Sequence, residues 1–171
     1  MGCKIQNKPN EKWLTDVSEF SIPGEKRKLY LSPIMDLYDN VIIEYNISYS
    51  NNNRLVFKMF DNAIKKYPNA KPIFHSDRGF QYTSRVFNDK LEKSGMTQSM
   101  SRVGKCIDNG PMEGFFGIIK SEMFYDKKFE SLEDLKEKIE EYIRYYNEER
   151  LQKRLECMTP IEYRNQALQF I

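Results

Sequence analysis

The chain has 171 residues, with 27 Lys and Arg against 25 Asp and Glu for a net charge of +2, so it is sized for one core and excludes a protein that grips nucleic acid through bulk charge. Hydrophobic content of 40% with 13% aromatic residues excludes disorder. One His, three scattered cysteines (Cys3, Cys106, Cys157) without a C-x-x-C and no long apolar run exclude a disulfide framework, a zinc site, most His-based hydrolase mechanisms and a membrane span, which points to the reducing cytoplasm.

In chain order, residues 1–12 read as a tail without a signal-peptide core, and residues 13–22 (WLTDVSEFSI) alternate as a strand before the turn Pro23-Gly24-Glu25-Lys26. Strands over 28–36 and 41–48 complete an antiparallel meander. Leu55, Val56, Met59, Ala63 and Ile64 recur at helical spacing over 53–66, ahead of Pro68. A short apolar strand over 72–76 delivers Asp77 at its tip. The next helix spans 83–94, with Thr83 as N-cap, Val86, Phe87 and Leu91 inward and Gly95 as its stop, and a brief strand over 96–100 follows. Ser101, Arg102, Gly104 and Lys105 form a loop with no apolar periodicity.

Helix 111–124 buries Met112, Phe115, Phe116, Ile119 and Met123 and leaves Glu113 and Lys120 on another face. Helix 131–147 has Ser131 and Asp134 at capping-box spacing, the stripe Leu132, Leu135, Ile139, Tyr142, Ile143 and Tyr146, and the pairs Asp134–Lys138 and Glu140–Arg144 on its solvated face. Thr159-Pro160-Ile161-Glu162 opens a last short helix. Three adjacent strands followed by strands alternating with helices give an α/β fold, its mixed sheet antiparallel first and then parallel, with helices on both faces. We divide it into a tail (1–12), a core (13–150) and a C-terminal extension (151–171).

Three acids end or open these elements: Asp16 in Trp13-Leu14-Thr15-Asp16, Asp77 in His75-Ser76-Asp77-Arg78-Gly79, and Glu113, 35 residues beyond Asp77. Carboxylates that meet away from water repel one another unless a cation sits among them, and an all-oxygen set suits Mg²⁺ or Mn²⁺. Taken singly, each acid is more often solvated than catalytic. Asp36, at a strand end, is either an acid that supports the ligands or, at least as readily, the start of a turn, and it is left out of the ligand set. His75 shares a strand face with Asp77 and is equally a structural His or one that orients a ligand.

Trp13-x-Thr15-Asp16, the Leu31-to-Asp36 strand, His75-Ser76-Asp77-x-Gly79-x-Gln81-Tyr82, Asp108-Asn109-x-x-x-Glu113-x-Phe115-Phe116 with Lys120 and Glu122, and Tyr146-Asn147-x-x-Arg150 followed by Pro160-x-Glu162-Tyr163 resemble the second-frame protein of bacterial insertion-sequence transposases. The order of elements is similar to the ribonuclease H-like catalytic core of retroviral integrases and DDE transposases, and the resemblance covers about residues 8 to 165. It implies that Asp16, Asp77 and Glu113 are the catalytic acids and hold two Mg²⁺ or Mn²⁺ ions for DNA strand cleavage and strand transfer. Lys120, Arg102 and Lys105 are then DNA contacts, and His75 and Asn109 support the acids.

The resemblance also implies DNA as substrate, element ends and target alike, a homo-oligomer, and a bacterial protein that is cytoplasmic and on the nucleoid when bound to DNA. Such transposases carry helical DNA-binding modules before the core, so a helix-turn-helix partner or a missing N-terminal module is expected. Gly114 and Gly117 are unusual inside the acid-bearing helix, where each costs ~1 kcal/mol relative to Ala, and Gly117 is read as room for a DNA backbone or as drift. The competing readings are a stand-alone nuclease of the same fold, which cuts without joining, and a non-catalytic fragment that binds DNA or full-length transposase and regulates it.

Overall fold

The computed structural model describes residues 6–100 and 109–169; the loop containing Arg102 and Lys105 lies outside them, as do Cys3 and Cys106. Strands β1 (Lys12–Thr15), β2 (Ser18–Ser21), β3 (Lys28–Asp36) and β4 (Ile42–Ser48) lead to helix α1 (Asn53–Lys66). Strand β5 (Ile73–Ser76), helices α2 (Phe80–Thr83) and α3 (Arg85–Lys93), and strand β6 (Thr97–Met100) come next. Helices α4 (Gly110–Ile119), α5 (Leu132–Glu148) and α6 (Pro160–Leu168) complete the chain.

Antiparallel β3 is the hub. Its start pairs with β2 and its end with β1 on one edge, while β4 holds the other edge. Parallel β5 then lies beside β1, and parallel β6 beside β5. The expected strand 13–22 is therefore two strands, split at Asp16 and Val17. The physical reason is local: the Asp16 side chain accepts the Val17 N–H at 2.7 Å, taking a donor that a ladder would otherwise use.

Each sheet face is sealed by its own apolar cluster, because alternate strand residues point to opposite faces. Leu14, Leu29, Leu31 and Met35 face α4 and α5, which contribute Met112, Phe115, Ile119, Leu135, Ile139 and Ile143. Trp13, Ile34 and Phe74 face α1 and α3, where Phe60 and Phe87 meet Phe74 edge to face. The helices thus flank both faces, as expected. All six predicted stripe residues of α5 are buried, and Ser131 caps it by accepting the Asp134 N–H.

Local chemistry corrects details of α3, α4 and α5 and adds to the reading of α6. Helix α3 starts one residue later than the sequence suggests, since Ser84 caps it and Thr83 ends α2; Phe87 and Leu91 are buried, whereas Val86, expected inward, is exposed. The helix over 111–124 does not stay α-helical, since a π-helical turn over Lys120–Phe124 closes with Tyr125 N–H donating to the Lys120 carbonyl at 2.7 Å. On α5, Asp134 accepts the Glu130 N–H, and the ion pairs are Lys138–Glu141 and Lys136–Glu140. Helix α6 opens with a reciprocal capping box between Thr159 and Glu162, and its Arg164 reaches into the core to pair with Asp36 and Asp39. No helix among the described residues is long and apolar enough to cross a membrane.

Candidate active site

Parallel pairing of β1 with β5 sets Leu14 opposite His75. Asp16 and Asp77 are the residues that directly follow the ends of these two paired strands. Glu113 stands in the exposed first turn of α4, which covers the sheet face that carries Leu14. The three acids are near enough to feel one another: the Asp16 carboxyl is pushed up to about 6, first by burial and then by the charges of Asp77 and Glu113, against the opposing Val17 N–H bond. Among the described residues, no three His, Cys, Asp or Glu side chains stand close enough to enclose a metal ion.

Asp77 is fixed by the turn that follows it. Gly79 N–H donates to Asp77 Oδ1 at 2.8 Å. A Cβ on Gly79 would lie 3.0 Å from that same oxygen and 3.1 Å from Gln81 Oε1. Gly79→Ala is therefore expected to swing the Asp77 carboxylate off its donor and to cost about 1 kcal/mol of stability, measured by urea unfolding; an unchanged or higher midpoint would show that Asp77 is not held this way.

His75 is buried, and its Nδ1 lies 3.0 Å from Ser99 Oγ on the neighbouring strand. Asn109 immediately precedes α4 and is buried, yet among the described residues its side chain makes no cap bond and its Oδ1 has no hydrogen-bond partner. Lys120 keeps its seven-residue offset from Glu113, but its Nζ sits 5.2 Å above the centre of the Phe20 ring, a cation–π contact that gives it a packing role. Gly114 and Gly117 are exposed, and among the described residues no atom outside their own helix backbone lies within 4 Å of where a Cβ would stand.

Two groups of residues carry structural work that the sequence reading left unassigned. Thr15, next to Asp16, meets Tyr82, with Tyr82 OH 3.1 Å from Thr15 Oγ1. Burial and the charges of Asp16 and Asp77 push the Tyr82 phenol well above its ordinary value, against hydrogen bonds with Thr15 and Ser32, so it stays protonated. At the other end of β1, Arg164 joins Asp36 and Asp39, and nothing in the spacing of these residues signals the contact.

The chain matches the integrase core domain family over residues 6–106, and a second integrase core domain family over residues 113–168. It is 49% identical over 161 residues to the putative transposase InsK for insertion sequence element IS150 of Escherichia coli, covering 94% of this chain and 56% of that protein. A transposase-like protein of Haemophilus influenzae is 47% identical, with 94% of this chain and 73% of that protein covered. The chain thus spans a little over half the length of the Escherichia coli relative. In architecture it is similar to the catalytic core domain of HTLV-2 integrase, solved in complex with magnesium, with a TM-score of 0.70 at 18% identity over 92% of this chain and 98% of that one. The ribonuclease H-like fold, the motif order and these matches agree: the chain belongs to the integrase core domain family carried by insertion-sequence transposases.

Proposed function

We propose that the chain is the catalytic core of a DNA transposase, in which Asp16, Asp77 and Glu113 hold two Mg²⁺ or Mn²⁺ ions for strand cleavage and strand transfer. The observation that carries this reading is Asp16: burial, and then the charges of Asp77 and Glu113, push this half-buried carboxyl up to about 6, so the three acids share one electrostatic environment. The donor set is all oxygen, which fits a hard divalent ion. When bound, such ions strengthen a water or a DNA 3′-hydroxyl as nucleophile and offset charge on the leaving oxygen. Asp16 and Asp77 supply the fixed side of the site, and Glu113, exposed and with the longest side chain of the three, closes it. Asn109 offers its unpartnered oxygen at the start of the helix that bears Glu113. Lys120, with Arg102 and Lys105, is assigned to DNA phosphates, contacts that set register without reading bases. A nucleic-acid-reading module and a second copy of the chain are the partners this function calls for.

Protonation provides the test. Asp16 has a folded pKa above its unfolded value, so in metal-free protein its ionisation costs stability as pH rises from about 4 through about 6. A bound cation needs that carboxylate ionised. Mg²⁺ should therefore raise the melting temperature strongly near pH 8 and little near pH 5, with a transition around 6, and Asp16→Asn should melt higher than wild type without metal at pH 8 and gain little from Mg²⁺. A metal-induced gain that is equal at both pH values, or unchanged in Asp16→Asn, would end the assignment.

A further inference from the structure

Tyr82 and Thr15 tie together the two strand ends that carry Asp16 and Asp77. Thr15 directly precedes Asp16, and Tyr82 belongs to α2, the short helix after the Asp77 turn. The Thr15 hydroxyl can donate to the Pro33 carbonyl, at 2.9 Å. The Tyr82 hydroxyl lies 3.1 Å from the same Thr15 Oγ1, a hydrogen bond in which either hydroxyl can be the donor. Tyr82 is itself held from the other side, where Gln98 Nε2 on β6 donates to its backbone carbonyl at 2.8 Å and its ring meets Phe87. A Cβ at Gly79 would press on Asp77 Oδ1 at 3.0 Å and Gln81 Oε1 at 3.1 Å, so the glycine leaves room for the turn between Asp77 and α2.

We infer that the Tyr82 hydroxyl is a positioning group that sets the separation of the Asp16 and Asp77 carboxylates and thereby makes the site selective for Mg²⁺ geometry. This rests on the proposed metal-binding reading. The ring alone would satisfy the packing. A hydroxyl there adds a directional bond between the two acid-bearing segments, buried where water cannot replace it. Mg²⁺ demands near-ideal octahedral geometry, and Mn²⁺ accepts more distortion, so a loosened pair of acids should discriminate against Mg²⁺ first.

The test compares wild type with Tyr82→Phe, which keeps the ring, and with Thr15→Val, which removes the bond from its other partner. Mn²⁺ binding is followed by electron paramagnetic resonance of the free ion, with Mg²⁺ as competitor, and nicking of duplex DNA is measured in each metal. Expected is a drop of about tenfold in Mg²⁺ affinity and in Mg²⁺-supported nicking for both variants, with Mn²⁺ affected no more than about twofold. Mg²⁺ and Mn²⁺ values that fall together, or that stay at the wild-type level, in a variant with a wild-type circular dichroism spectrum would overturn the inference. Should Tyr82→Phe not fold, Thr15→Val alone decides it. Wild type that neither binds Mn²⁺ nor nicks DNA would instead overturn the metal-binding reading itself.

Discussion

Asp77→Asn is expected to abolish Mg²⁺-dependent nicking of duplex DNA by the protein, a loss of ~10³-fold or more, since the several kcal/mol of charge stabilisation supplied by a metal centre depends on its ligand charges. The fold should survive. An amide oxygen in place of Asp77 Oδ1 can still accept the Gly79 N–H, so the turn into α2 remains pinned. Removing one negative charge also relieves Asp16, whose carboxyl is raised in part by Asp77. The variant should therefore match or exceed wild type in a metal-free melt near neutral pH while failing to cut. Nicking at the wild-type rate would remove Asp77 from the chemistry. Including a target plasmid in the wild-type reaction separates the two enzymatic readings, because joined products require strand transfer whereas a nuclease yields only cuts.

What could be read from sequence was what neighbouring residues decide among themselves. The stripe on α5 and the caps at Ser131 and Thr159 follow from helical period and from side chains that bond three residues away, and each stands where the pattern put it. The exposure of Glu113 followed from the same period. What escaped depends on partners far along the chain or on competition between adjacent residues. Thr83 and Ser84 are both good N-caps; Ser84 prevails because Thr83 belongs to the turn of helix whose N–H groups bond back to Gly79. Val86 is exposed because the face that Phe87 and Leu91 bury is too narrow to include it. The break after Asp16 is invisible to alternation, because β2 resumes along the same edge of β3. Of the site, the acids and their order were legible as motif, whereas the hydroxyl contact between Thr15 and Tyr82 joins residues 67 positions apart.

Replacement of Arg164 by Met is expected to destabilise the protein by about 3–5 kcal/mol, the range for removing one partner of a buried ion pair. The guanidinium is almost wholly buried. Its Nε donates to Asp39 Oδ2 and one terminal nitrogen to Asp36 Oδ2, both at 2.6 Å, while the other reaches the Tyr67 hydroxyl at 3.3 Å. Both aspartates are fully buried, and Asp36 also accepts backbone N–H groups from Asn10 and Tyr38. One cation among two carboxylates leaves them in conflict: burial and then the Asp39 charge hold Asp36 up at about 6, with Arg164 pulling the other way. Burial likewise raises Asp39 against Arg164. Without the guanidinium both carboxyls should rise further, so the variant's deficit should be largest near pH 8 and shrink toward pH 5 as the acids take up protons and lose their charge. At ~2–4 °C per kcal/mol for a chain of this size, the melting temperature near pH 8 should fall by roughly 6–20 °C. A deficit that does not change with pH would mean that Arg164 contributes only packing. A deficit under about 1 kcal/mol would mean that α6, which brings Arg164 to the foot of β3 from 125 residues beyond Asp39, is dispensable to the core.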